Sequence, residues 1–164
     1  MPSSLICEAV FDIKKTIGDQ TQLTVRGWSM RPLIEFGDVV VVDHGSLVLK
    51  AGDIIAYKHE ARIIVHRIIR RFEVNGRIVY IGKGDANSKI DPRISHDCVL
   101  GRVHTVIKPN NRTLHLTKPS WRFVGKAFIL WVTVARFFPR WTTHGVLGRK
   151  LRHLLGRVLS LAWN

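Results

Sequence analysis

Gly27-Trp28-Ser29-Met30-Arg31-Pro32, followed by Gly37-Asp38 and the valines at 39–42, is the stretch on which the reading of this chain turns. Leu23 to Arg26 before it and Val39 to Asp43 after it both read as strands, so Ser29 falls on a turn at the edge of sheet structure. A serine hydroxyl is a poor nucleophile until a neighbouring group takes its proton. Val65-His66-Arg67-Ile68, further along, supplies a candidate for that group.

Outward from this stretch, residues 21 to 116 consist of short β-type runs cut by Gly, Asp and Asn. Predicted strands are 21–27, 38–43, 53–58, 62–72, 74–82, 98–107 and 113–116. Val74-Asn75-Gly76-Arg77 reads as a hairpin, because Asn-Gly supplies the positive φ of a type I′ turn. Gly52-Asp53 opens a strand as Gly37-Asp38 does, a twofold echo. Such spacing predicts a mainly β domain built on a closed or strongly coiled antiparallel sheet.

The two flanks differ from this core. Leu5, Ile6, Ala9, Val10, Ile13 and Ile17 recur at helical spacing, which predicts a short N-terminal amphipathic helix over 4–17 that ends at Gly18. Beyond Lys118-Pro119-Ser120, residues 121–138 are rich in apolar side chains. Their uninterrupted apolar core, Ala127 to Ala135, is about half the ~20 residues a spanning helix needs. A last helix, about 145–162, puts Leu147, Leu151, Leu154, Leu155, Val158 and Leu161 on one face and arginines elsewhere, as in a helix lying in a membrane interface. The chain thus divides into 1–20, an N-terminal helix; 21–117, the β domain; and 118–164, a basic helical tail with apolar faces for membrane or partner association.

Composition narrows the class. At 164 residues there is room for one domain with decoration. The formal charge of +14 is lopsided: all 12 acidic residues lie before position 101, whereas 12 of the 26 basic ones follow it. The tail should therefore favour an anionic surface. Cys7 and Cys98 form no metal-type pair and are expected to be small buried hydrophobes. No histidine or cysteine spacing suits a metal, so no metal and no cofactor are expected. The first residues lack a basic segment followed by an apolar run, so no signal peptide is expected.

Taken in order, Gly-x-Ser-Met-x-Pro, Gly-Asp with valines, Gly-Asp-Ile-Ile-Ala-Tyr, Val-His-Arg-Ile and Lys83-Gly84-Asp85-Ala86-Asn87 with Asp91 form a specific set. Over residues 21–107 this set resembles the type I signal peptidases and, more distantly, the LexA-type self-cleaving repressors. The resemblance implies a coiled antiparallel sheet and a serine endopeptidase that cuts a signal or leader peptide from a precursor polypeptide. It places the nucleophile at Ser29. Where the bacterial branch has a lysine base this chain has His66, which resembles the archaeal and endoplasmic-reticulum branch. Histidine needs no burial to act as a neutral base near pH 7, whereas lysine must first be depressed.

Both Asp85 and Asp91 stand where that branch has acids. By position Asp91 matches the acid that orients the base, and Asp85 matches one that holds its loop together. Gly27 and Pro32 are expected to shape the nucleophile turn, the Ser29 N–H to receive the oxyanion, and Met30 to line the groove for a small side chain. Trp28 faces either substrate or lipid.

Two other classes compete. A LexA-like or catalytically inactive regulator would bind nucleic acid or a protein partner through the basic tail, but about twenty residues before the β domain are too few for a helix-turn-helix. The aromatic and leucine faces of the tail suit lipid better than phosphate, so no specific nucleic acid is expected. The expected location is peripheral, on the cytoplasmic face of an anionic membrane; the alternative is an integral protein with a C-terminal membrane helix.

Overall fold

The structure, a computed structural model, describes residues 19–45 and 48–117, and beyond them Trp121, Gly125, Ala127, Ile129 and Leu130. Among the described residues there are eight strands: β1 Gln20–Thr24, β2 Val39–Asp43, β3 Ile54–His59, β4 Arg62–Val74, β5 Arg77–Lys83, β6 Arg93–Ser95, β7 Val99–Ile107 and β8 Thr113–His115. They form one sheet in the order β1-β2-β7-β3-β4-β5-β6, with β8 added to β7. Every pairing is antiparallel. Register shifts at Val41/Val42, Ala56/Tyr57 and Ile68/Arg70 mark bulges. Such bulges bend the strands and strengthen their twist, so the sheet curls into a half-barrel.

The curl buries the middle strand on both faces. Ile54 and Ala56 of β3 belong to one apolar cluster, with Val40, Val42, Val103 and Val106. Ile55 and Tyr57 belong to a second, with Ile68, Tyr80 and Val99. A strand covered on both sides reads as a continuous apolar run, and Ile54-Ile55-Ala56-Tyr57 is one.

The Gly-Asp echo has a physical basis. Gly37 and Gly52 take left-handed φ values of 88° and 100°, where glycine has no steric cost. The carboxylate of the following aspartate accepts a backbone N–H three residues back, Glu35 for Asp38 and Lys50 for Asp53, each at 2.8 Å. Two copies of one turn therefore launch β2 and β3. At the hairpin, Asn75 and Gly76 both have positive φ, 51° and 73°, as a type I′ turn requires.

Some expectations need correction. The predicted strand 21–27 stops at Thr24. Val25 instead exchanges backbone hydrogen bonds with Asp38 and Gly37, pinning the nucleophile turn at its base. Strand β6 and the 3-10 turn His96–Cys98 were not predicted. Cys98 is exposed, not buried. The N-terminal helix 4–17, Cys7 and the helix 145–162 lie outside the described residues. Of the predicted tail, Trp121, Gly125 and Ile129 recur every fourth residue. Trp121 packs against the first apolar cluster, and Gly125 lies against the backbone of Gly52, where a Cβ at 125 would come within 2.9 Å of the Gly52 carbonyl.

Candidate active site

Ser29 is held in place from below. Met30, Leu33 and Ile34, at 4% exposure or less, drive the turn into the first apolar cluster. Burying each such side chain contributes about 1.5–3 kcal/mol. Ser29 itself stays half-buried, at the rim. Met30 is thus part of the core beneath the turn, not an open wall of a groove.

The far end of the turn is tied by Lys108. Its ammonium donates to the Leu33 carbonyl at 3.0 Å and to the Asp38 carboxylate at 2.7 Å. Arg31–Pro32 is a cis peptide bond. Gly27 has neither a left-handed φ nor any atom crowding its Cβ position, so nothing in the packing demands glycine there. It leaves open space beside Ser29. Trp28 is exposed, stacks on exposed Phe36 with ring centroids 5.4 Å apart, and lies under the Arg31 guanidinium at 3.8 Å.

His66 comes from β4, where it pairs across from Ile55 of β3. Its Nε2 lies 3.0 Å from the Ser29 Oγ and its Nδ1 2.7 Å from the Asp91 Oδ2. An ionised carboxylate can only accept, so Nδ1 carries the proton and Nε2 is left to accept the serine hydroxyl. His66 and Asp91 side chains are 8% and 11% exposed. The three sequence candidates therefore form one continuous hydrogen-bonded chain from hydroxyl to imidazole to carboxylate.

Asp85 does not join it. Its carboxylate takes a two-point contact from Arg67, 3.0 Å to Nε and 2.7 Å to the terminal nitrogen, with both side chains nearly buried. The same guanidinium donates to the Gly52 carbonyl at 2.9 Å. Arg67 follows His66 on the strand, so its side chain leaves by the opposite face. The pair thereby clamps the loop 84–91 and the Gly52 turn to the strand that carries His66. That loop in turn holds Ser29, because the Ala86 N–H donates to the Ser29 carbonyl at 2.7 Å. Gly84 is needed there, since a Cβ would meet that carbonyl at 2.7 Å.

Three participants were not singled out from sequence. Arg67 and Tyr57 sit inside quoted motifs, but no local pattern says which acid each would reach. The Tyr57 hydroxyl donates to Asp91 Oδ2 at 3.0 Å. Gly82 makes room for the carboxylate: a Cβ there would lie 2.5 Å from Asp91 Oδ2, and its carbonyl accepts the Asp91 N–H at 2.9 Å.

Comparison with known proteins places this arrangement. Residues 7–97 match the Peptidase S24-like family model. The chain belongs to the Peptidase S24-like family. It is also similar to the signal peptidase complex catalytic subunit of Eremothecium gossypii, with 35% identity over 72 residues. That match covers 42% of this chain and 43% of the relative, so the chain spans less than half the length of the curated relative it matches. Family and relative together point to a serine peptidase.

In this Peptidase S24-like protein, Gly82→Ala is expected to displace Asp91 while leaving the sheet paired. Activity should fall by roughly 10-fold or more, through loss of the hydrogen bond that orients the imidazole. A crystal structure of the variant with the His66–Asp91 distance unchanged would count against this account of the glycine.

Proposed function

We propose that the protein is a serine endopeptidase of signal-peptidase type that cleaves a signal or leader peptide from a precursor polypeptide. The observation that carries this reading is the Ser29–His66–Asp91 hydrogen-bonded chain within a Peptidase S24-like fold. In it, Ser29 Oγ attacks the scissile carbonyl as His66 Nε2 takes its proton. The Ser29 N–H receives the developing oxyanion, and Asp91 stabilises the imidazolium. The imidazolium protonates the leaving amine, and water then resolves the acyl-serine by the same route. Asp85 keeps the loop in place through Arg67, and no metal or cofactor takes part.

The test is to incubate the full chain with a precursor polypeptide and follow products by intact mass. One internal peptide bond should be cut, and at low pH an adduct of the N-terminal fragment should accumulate on Ser29. Cleavage that persists unchanged without the Ser29 hydroxyl would reject the proposal. The alternative, an inactive or LexA-like regulator, has less support, because an inactive relative has no use for an intact relay. Self-cleavage of the chain under these conditions would favour the LexA-like regulator, and no cleavage of any polypeptide the inactive one.

The basic tail, 118–164, is proposed to hold the enzyme peripherally on an anionic membrane, on its cytoplasmic face. Among the described residues no helix is long and apolar enough to cross a membrane. With nine basic residues and no acid in 118–164, each basic contact near anionic lipid contributes about 1 kcal/mol. The full chain should sediment with anionic vesicles at low salt, and high salt should weaken binding without abolishing it, because apolar burial is unscreened. Protein that stays in the supernatant at low salt would refute the membrane partner, and release by detergent alone would indicate a C-terminal membrane helix.

A further inference from the structure

Asp91 Oδ2 is shared by two donors. It accepts the His66 Nδ1–H at 2.7 Å and the Tyr57 hydroxyl at 3.0 Å. Tyr57 stands on β3 opposite Ile64, two positions along from the Ile55–His66 pair. Alternation along both strands therefore puts the phenol and the imidazole on one face, where the rings meet edge-on with centroids 6.4 Å apart. Tyr57 is 3% exposed. Burial first, then the Asp91 charge and the hydrogen bond to it, push the phenol well above its ordinary range. It is therefore a neutral donor near neutral pH.

The geometry points to Tyr57 as a positioning residue for the Ser29–His66–Asp91 relay, acting through Asp91. This inference rests on the peptidase reading of that relay. The hydroxyl has two effects. It fixes the rotation of the carboxylate, so that Oδ2 faces Nδ1. It also draws negative charge away from the shared oxygen, which limits how tightly the imidazolium is held once it forms. A relay whose imidazolium is held too tightly returns its proton to the leaving amine less readily.

Tyr57→Phe is the discriminating variant because it keeps the ring and deletes only the donor. With Asp91 deprived of that donor, its charge falls more fully on His66, and the protonated imidazole gains. The acidic limb of the rate profile must then move to higher pH. Other charged groups around the relay stay as they are: Arg67 with Asp85 on the opposite face of β4, and Lys83 across the β4–β5 pair from Arg67. A tyrosine that merely fills the core would leave the limb unmoved.

For wild type and Tyr57→Phe, kcat and KM are measured on one cleaved peptide between pH 5 and 9. The expected result is a kcat lowered roughly 10-fold, KM within about twofold, and an acidic limb displaced upward by at least ~0.3 pH unit. In an Asp91→Asn background, Tyr57→Phe should add no further loss, since the two act as one unit. An unchanged kcat and pH limb would overturn the inference. A second readout needs no activity: in protein labelled with 15N-histidine, the NMR titration midpoint of His66 rises in Tyr57→Phe. An unmoved midpoint overturns the inference whatever the peptidase assay gives. Activity surviving in Ser29→Ala would instead overturn the proposed function and leave this titration result standing.

Discussion

Ser29→Ala is expected to lower peptide cleavage by about 10,000-fold or more, with the fold intact, and His66→Ala by a similar factor. The two losses should not multiply. The proposed nucleophile and base are joined by the 3.0 Å Oγ–Nε2 contact and would act as one unit, so the double variant should be no slower than either single one. Ser29 is half-buried at the rim of the sheet, and alanine there deletes a single hydroxyl. Thermal unfolding of Ser29→Ala should therefore match wild type within about 0.5 kcal/mol. The measurement is kcat/KM on a defined peptide, with unfolding midpoints alongside. Losses that multiply in the double variant would mean that the two residues act independently, and the relay would have to be abandoned.

The largest expected effect on stability is that of Asp85→Ala. The Arg67–Asp85 pair is nearly sealed from solvent, at 4% and 7% side-chain exposure. Deleting the carboxylate removes a two-point ion pair from a buried guanidinium, which costs about 3–5 kcal/mol. For a domain of this size that corresponds to a fall of roughly 15–25 °C in Tm. Replacing both partners by apolar residues, as in Arg67→Met with Asp85→Leu, should recover much of the loss, because the penalty lies in burying a charge. Activity would not return with it, since the clamp also fixes the loop that holds the Ser29 carbonyl. A Tm for Asp85→Ala within about 3 °C of wild type would show the pair to be dispensable.

The two acids that the motif places close together have different partners. Asp91 and Asp85 are six residues apart on one loop, yet they pair on opposite faces of one strand. Asp91 faces His66, whereas Asp85 faces Arg67 on the other side of the strand. Consecutive residues of β4 point to opposite faces of the sheet, so one strand delivers a candidate base to one acid and a structural cation to the other.

The parts that sequence alone determined are those set by local backbone chemistry. Asn75-Gly76 has one low-cost way to reverse a strand, and Gly37-Asp38 and Gly52-Asp53 each carry within themselves both the left-handed residue and the acceptor that closes the turn. Strands rich in Val and Ile between such turns could be located to within a few residues for the same reason. Ser29, His66 and Asp91 were legible as an ordered set through the resemblance to the signal peptidases, with Ser29 on a turn and His66 on a strand that are themselves local signals. Tertiary structure decided everything that depends on which surfaces meet. β6 is three residues long and exists only because β5 offers it an edge. Met30 is core because the curl of the sheet closes over it. Gly82 and Tyr57 matter because the loop carrying Asp91 folds back onto them. A hydrogen bond or a crowded Cβ between residues distant in sequence leaves no periodicity behind, so only the folded arrangement could reveal it.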